Sequence, residues 1–347
     1  MEKEKKPFLF SIHHFRAFAI VNVMFVHLWT VPDGTVDPSA AQLIVALREL
    51  LFHDSTIYFL FISGFLFYYL SENFSAKRYY ISKVSYVLSP YLLFTLVLSF
   101  HSGWSLIHWG KVVPFLSLLL NNVMLGKAEY QYWYIPLVSV LIILGPLLLK
   151  VPKEKFKALA LVASILPLLG TRTGRDISLG QLCYFSPVYI LGMFTAMFFS
   201  ETLIFVGKIK YILVFLTALS AILTAVAFGH SKVGFFNIYE AFQYVNKICV
   251  TYLVLLFLTN HENYRSKVLD TLASFSFALY FSHMLVHNNM SRLLYSTVGK
   301  VAPILLSTSL IIPLTLFFAV CSILVSLLFC IGLKRLLGKY SRYFIGA

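Results

Sequence analysis

The apolar residues of this chain arrive in blocks, repeated from end to end and separated by short basic clusters. A helix of about 20 residues crosses the hydrocarbon core of a bilayer, and the blocks are close to that length. The repeat therefore predicts an all-α, polytopic membrane helix bundle, read as a single domain over residues 1–347. Hydrophobic residues make up 59% of the chain and Asp, Glu, Lys and Arg only 12%. That is roughly half the charged share of an ordinary soluble domain, which excludes a soluble enzyme. Lys and Arg number 28 against 14 acids, a net charge of +14. Because the basic residues sit between apolar blocks, they read as topology signals and not as a nucleic-acid face.

Ten spans are predicted: Ile12–Val31, Thr56–Leu70, Val84–Phe100, Tyr132–Leu149, Ala158–Gly170, Leu179–Phe199, Ile212–Phe228, Tyr244–Leu258, Leu272–Val286 and Leu305–Leu333. Two segments, Ala41–Phe52 and Ser105–Gly126, mix apolar residues with Arg48, Glu49, Lys111 and Pro114, so they are expected at the interface. With the N-terminus in the cytoplasm, that side holds 18 of the loop Lys and Arg and the opposite side nine. Both termini are therefore expected to be cytoplasmic, which an even number of spans requires. The opening MEKEKKPFLF has no small-residue cleavage site, and the run after it carries Arg16 and the histidine pair His13-His14. It reads as a retained first helix. Cys183, Cys249, Cys321 and Cys330 all lie in apolar stretches without a close pair, an arrangement that favours neither disulfides nor structural zinc.

The first span holds Arg16 and His27 with ten residues between them. Eleven helical steps bring both side chains to one face, about 16 Å apart along the axis. An arginine near hydrocarbon is costly and usually faces protein or a wet cavity. The plain alternatives are an arginine that snorkels to the surface and a histidine that only packs.

At these residues the chain resembles the integral-membrane acyltransferase-3 family, whose first helix carries the same Arg-to-His spacing. FLFISGF at Phe59–Phe65 is similar to the family's aromatic-aromatic-x-x-Ser-Gly segment, YWYIP at Tyr132–Pro136 to its Trp-aromatic helix start, and SFSFALYFSH at Ser274–His283 to its late Ser-x-x-x-Tyr-x-x-His pattern. The four motifs occur in the expected order over nearly the whole chain. The resemblance implies transfer of an acyl group, commonly acetyl, from acetyl-CoA or another acyl-CoA donor to a glycan or lipid-linked sugar in a bacterial-type inner membrane.

Imidazole titrates close to working pH, so His27 is the candidate to take the proton from an attacking hydroxyl or to carry the acyl group. Arg16, on the same helix face, is the second catalytic candidate. Lys77, Arg78 and Lys83 are expected to hold the donor's phosphates, against the simpler reading of positive-inside bias. Ser63, Trp133 and Tyr134 are donor-channel candidates, although Ser63-Gly64 is also the kind of small pair that lets helices approach closely. Trp133 and Tyr134 read equally as an interfacial belt. Tyr280 and His283 are expected to line the cavity. Asp54 and Glu129 are candidates to orient an imidazole or bind acceptor hydroxyls, if they are not solvated loop carboxylates. His283 and His287 share a helical face, but nothing completes a metal set, and no metal is expected. Neither a nucleotide-binding Gly-rich loop nor a DxD pair occurs. The alternatives to an O-acyltransferase are a proton-coupled secondary transporter using Arg16 and His27 as a relay, and an inactive lipid-binding scaffold that leaves the four ordered motifs unexplained.

Overall fold

In a computed structural model, which describes residues 6–28, 38–169, 172, 177–227, 232–233, 236–298 and 308–347, the apolar blocks become helices. The chain runs through α1 (Phe10–His27), α2 (Pro38–Phe52), α3 (Thr56–Tyr69), α4 (Ala76–Lys83) and α5 (Ser89–Ser102). It continues through α6 (Trp104–His108), α7 (Val112–Leu125), α8 (Tyr134–Leu148), α9 (Lys153–Leu169) and α10 (Leu179–Met197). The last third comprises α11 (Phe199–Ala227), α12 (Ile238–Asn260), α13 (Lys267–Val298), α14 (Thr308–Leu337) and α15 (Ser341–Phe344). A two-residue antiparallel pair, β1 (Lys232–Val233) with β2 (Phe236–Asn237), joins α11 to α12.

Each predicted span has a helix under it. Among the described residues, seven helical runs are long and apolar enough to cross a membrane, and α7 and α8 are shorter apolar helices. The difference from ten arises where polar residues dilute or shorten a helix. One case is α1, with its three histidines and arginine; another is α9, which opens on Lys153-Glu154-Lys155. The predicted span ends Val31, Gly170, Phe228 and Leu305 lie outside the described residues, as do Arg175 and Lys300. One predicted interface segment, α2, runs through a short turn into α3, so that 42–69 forms a single apolar run.

α1 sits in the middle of the bundle, packed on α13 and α3; α3 packs on α10, α10 on α9, and α11 on α12. Lipid tails are as apolar as Leu, so close packing and small residues, more than hydrophobic burial, hold such helices together. The α3–α10 contact shows this directly. A Cβ on Gly64 would lie 2.0 Å from the Tyr189 carbonyl oxygen, and one on Gly192 2.1 Å from that of Phe61. Backbone touches backbone on both sides, which gives Ser63-Gly64 a packing role. Gly64→Ala must push the two helices apart, and a loss of about 1–3 kcal/mol or more is expected. Thermal unfolding of the purified variant in detergent checks this; an unchanged midpoint would contradict so close an approach.

The outward faces carry large apolar side chains: Phe205, Phe215 and Val226 on α11, and Phe317, Leu324 and Leu328 on α14. On a water-soluble surface such continuous rows would be an anomaly, whereas in an integral membrane protein they meet lipid. The start of α1 is fixed from a distance. The Glu262 carboxylate accepts hydrogen bonds from the backbone N–H of Phe10 at 2.5 Å and of Ser11 at 2.9 Å. A negative charge there satisfies two orphan donors and complements the helix dipole.

Candidate active site

Both polar residues of α1 turn toward α13. Arg16 Nη2 donates to Ser276 Oγ at 2.9 Å, and the His27 ring lies 5.6 Å from that of His283. Ser276 and His283 are seven residues apart, about two turns, so α1 and α13 run side by side in the same direction. The Tyr130 ring meets His27 edge-on at 5.3 Å.

His283 is fully buried, and its Nδ1 lies 2.8 Å from the Leu279 carbonyl. A carbonyl only accepts, so Nδ1 carries the proton and Nε2 presents its lone pair. That Nε2 is buried without a hydrogen-bond partner. His287, one turn on, is held separately, its Nδ1 3.2 Å from Ser322 Oγ.

His27 opens onto a cavity of about 280 Å³. Its wall is built from the last turn of α1, the α2–α3 turn, Tyr130 and Trp133 before α8, Met284 of α13, and Arg172 between α9 and α10. The α2–α3 turn carries Asp54, whose side chain is buried and whose backbone is left-handed at φ 56°. Asp is among the residues that tolerate this conformation, and it persists where surroundings over-determine it. Here Lys247 Nζ donates to the Leu51 carbonyl at 2.7 Å, and Gln243 Nε2 donates to the Glu49 carbonyl at 2.7 Å. Two α12 side chains thus satisfy the last carbonyls of α2 and fix the turn.

The Asp54 carboxylate is shared by the Arg172 guanidinium on Oδ1 and the Tyr184 hydroxyl, 2.7 Å from Oδ2. Arg172 lies over the Trp133 ring at 5.0 Å and near that of Phe185 at 5.6 Å, and its backbone N–H donates to Glu240. Burial opposes the guanidinium charge, but Asp54, then Tyr184 and Glu240, more than offset it and hold Arg172 protonated above its ordinary range. Next to this pair, Glu49 bonds Arg48 at 2.7 Å and His53 Nδ1 at 2.6 Å. The cavity wall opposite the imidazole is therefore a matched array of carboxylates and guanidiniums.

Of the predicted site residues, the structure brings His27, Asp54 and Trp133 together around the cavity, and Arg16, Glu129 and Ser63 are not among its lining. Asp54 is no solvated loop carboxylate, whereas the Glu129 carboxylate accepts the backbone N–H of Tyr130 at 3.1 Å. Tyr280 and His283, expected to line the cavity, sit behind it. The Tyr280 hydroxyl donates to the Gln131 carbonyl at 2.5 Å, tying the segment before α8 to α13. Tyr134 is buried against Tyr280, with ring centroids 5.9 Å apart, and its hydroxyl meets that of Ser63. Lys77 and Arg78 stand exposed on α4, and Lys83 Nζ lies 5.4 Å from the Tyr79 ring centroid. Among the described residues, no three of His, Cys, Asp and Glu are grouped to hold a metal ion.

The sequence reading missed Arg172, Tyr184, Glu240, Glu49 and His53. Only Glu49 and His53, four apart on one helix face, left a local signal. The others come from two regions far along the chain, Arg172 with Tyr184 around the start of α10 and Glu240 at the start of α12.

The acyltransferase-3 family model, described as an acyltransferase domain, matches residues 9–335, nearly the whole chain. The chain belongs to the acyltransferase-3 family. No curated protein and no solved structure matches it. It is a membrane acyltransferase.

Proposed function

We propose that the protein is an O-acyltransferase of the bacterial inner membrane that moves an acyl group, acetyl in the first instance, from acyl-CoA to a sugar hydroxyl of a surface glycan or lipid-linked precursor. The supporting observation is His27 at the mouth of a cavity whose other walls are carboxylate, guanidinium and aromatic groups. Hydroxyl groups both donate and accept, and carboxylates and guanidiniums offer them both partners. At about 280 Å³ the space lies near the lower end of ligand pockets, a size for one sugar unit and not a length of polymer.

In this reading the donor comes from the cytoplasm, its phosphates drawn by the basic cluster of Lys77, Arg78 and Lys83. The acceptor meets the thioester at His27. Imidazole Nε2 or Nδ1 takes the hydroxyl proton, the oxygen attacks the thioester carbonyl, and the leaving thiolate takes the proton back from the imidazolium. In the covalent variant the imidazole attacks the thioester carbonyl and expels the coenzyme A thiolate, and the sugar oxygen then attacks the acyl-imidazole, breaking its C–N bond to free the imidazole while the hydroxyl proton ends on the thiolate. Asp54 acts on the acceptor side of the cavity, with Glu129, Tyr280 and His283 as outer contributors.

Incubating the purified full-length protein with labelled acetyl-CoA and candidate glycans tests this. The expected result is acceptor-dependent release of coenzyme A with label in the glycan. An intact thioester, together with proton-gradient-driven uptake of a solute into proteoliposomes, would replace the enzyme by a transporter.

A further inference from the structure

The cavity at His27 holds a second imidazole, which the chemistry above does not use. His53, in the α2–α3 turn, lines the same space of about 280 Å³, and its side chain is 22% exposed. It belongs to none of the four motifs shared with the family. Its Nδ1 lies 2.6 Å from Glu49 Oε2. A carboxylate only accepts, so Nδ1 carries the proton. Glu49 is itself fixed: Arg48 Nη2 donates to its Oε1 at 2.7 Å, and the Tyr239 hydroxyl donates to its Oε2 at 3.3 Å. On the other side of the ring, Nε2 is 3.3 Å from Arg172 Nη1 and 3.6 Å from Asp54 Oδ1. A guanidinium only donates, so Nε2 presents its lone pair. The Tyr239 ring, edge-on at 5.8 Å, completes the seat.

A carboxylate behind one nitrogen and a lone pair on the other make an imidazole a base for hydroxyl groups, because the carboxylate sets the tautomer and steadies the charge that the ring acquires. The surroundings accept a proton on Nε2. Glu49 and Asp54 flank the two nitrogens, the Arg172 charge is balanced by Asp54, and that of Arg48 by Glu49. In the covalent variant of the proposed reaction, His27 carries the acyl group at the moment when the sugar hydroxyl must lose its proton. That step calls for a second base.

We propose that His53, oriented by Glu49, is the base that activates the acceptor hydroxyl. Its Nε2 takes the proton as the sugar oxygen attacks the acyl-imidazole carbonyl. The ester C–O bond forms, the C–N bond to His27 breaks, and the His53 imidazolium gives the proton up through solvent to the thiolate that coenzyme A carried away in the first step. Arg172 yields its contact with Nε2 to the hydroxyl and stays on Asp54. The inference rests on the covalent variant of the reading above.

Two quantities test it on the full-length protein in lipid nanodiscs: the burst of coenzyme A released from acetyl-CoA without acceptor, and acetyl transfer to a glycan that the wild type labels. They are measured for wild type, His53→Ala, His53→Gln and Glu49→Gln, each eluting as a single species. Both His53 variants are expected to keep the burst and to lose transfer by roughly 100- to 1,000-fold, the scale of a positioned base, with Glu49→Gln between them and wild type. Imidazole added to His53→Ala is expected to restore part of the transfer, above the rate without enzyme, and to do nothing for His53→Gln, whose side chain fills the space. Transfer by His53→Ala near the wild-type rate overturns the inference. So does a loss that imidazole leaves unchanged, or one that takes the burst with it, since either marks a structural role. Wild type that transfers without a burst removes the covalent variant and this inference with it, while the O-acyltransferase reading stands. Wild type that labels no glycan removes that reading as well.

Discussion

His27→Ala lowers acyl transfer by about 100- to 10,000-fold, the range that a positioned proton acceptor supplies, while the protein still inserts and elutes as wild type. His27 is the last residue of α1 and only half-buried at the cavity mouth, so truncating it removes little packing. The aromatic core below it, Phe15, Phe61 and Tyr58, is untouched. His27→Gln retains much of the volume and the hydrogen-bonding capacity but cannot take up a proton, so it is expected to fail to a similar degree. That pair of variants separates proton transfer from simple positioning. Rapid mixing of the wild type with labelled donor in the absence of acceptor separates the two chemical routes: a stoichiometric burst of coenzyme A release, absent in His27→Ala, marks an acyl-imidazole, and release that depends wholly on acceptor marks a general base. A rate near that of wild type in His27→Ala would take the residue out of the chemistry.

What could be read beforehand follows from the range of the forces involved. Bilayer thickness acts on contiguous sequence, so the apolar blocks mark the helices, and the eleven-residue step from Arg16 to His27 places both on one face of α1. Local chemistry also marks Ser63-Gly64, because only a residue without a Cβ fits there: a Cβ would lie 2.0 Å from the Tyr189 carbonyl oxygen. The wall of the cavity has no such signature. Arg172 reads as one more loop cation in a topology count, Tyr184 as an aromatic in an apolar run, and Glu240 as a helix-start acid. Their joint meaning lies in the contacts with Asp54, across 118 residues for Arg172 and 130 for Tyr184. Asp54 itself is ambiguous in sequence for the same reason: an acid between two apolar segments is solvated or buried according to whether a partner arrives from elsewhere. Tyr280 and His283 show the reverse limit. Their motif places them on the helix that faces α1, but not on which side of the packed layer they end.

The largest stability effect is expected at the Asp54–Arg172 pair. Asp54→Ala leaves the half-buried Arg172 guanidinium beside Trp133 without its carboxylate and deprives the Tyr184 hydroxyl of its shorter acceptor. Breaking one member of a buried pair typically costs about 3–5 kcal/mol, because the remaining charge has lost both water and partner. Arg172→Ala strands the carboxylate in the same way, although Tyr184 and the nearby His53 soften the loss. Removing both, in Asp54→Ala with Arg172→Ala, eliminates the stranded charge, so the double variant is expected to be no less stable than the worse single variant and clearly better than the sum of the two. Unfolding midpoints of the four proteins in one detergent give this cycle, and strict additivity would show that the two groups do not depend on each other. The same substitutions bear on function through geometry. Asp54 is held left-handed between α2 and α3, and once Arg172 and Tyr184 lose their hold on the carboxylate, the turn keeps its own Ser55 bonds to the Phe52 carbonyl and the Lys247 and Gln243 contacts to α2 carbonyls, but no hold on its tip side chain. The cavity wall facing His27 then loosens, and Asp54→Asn, which keeps the shape but not the charge, is expected to raise the acceptor KM more than it lowers kcat.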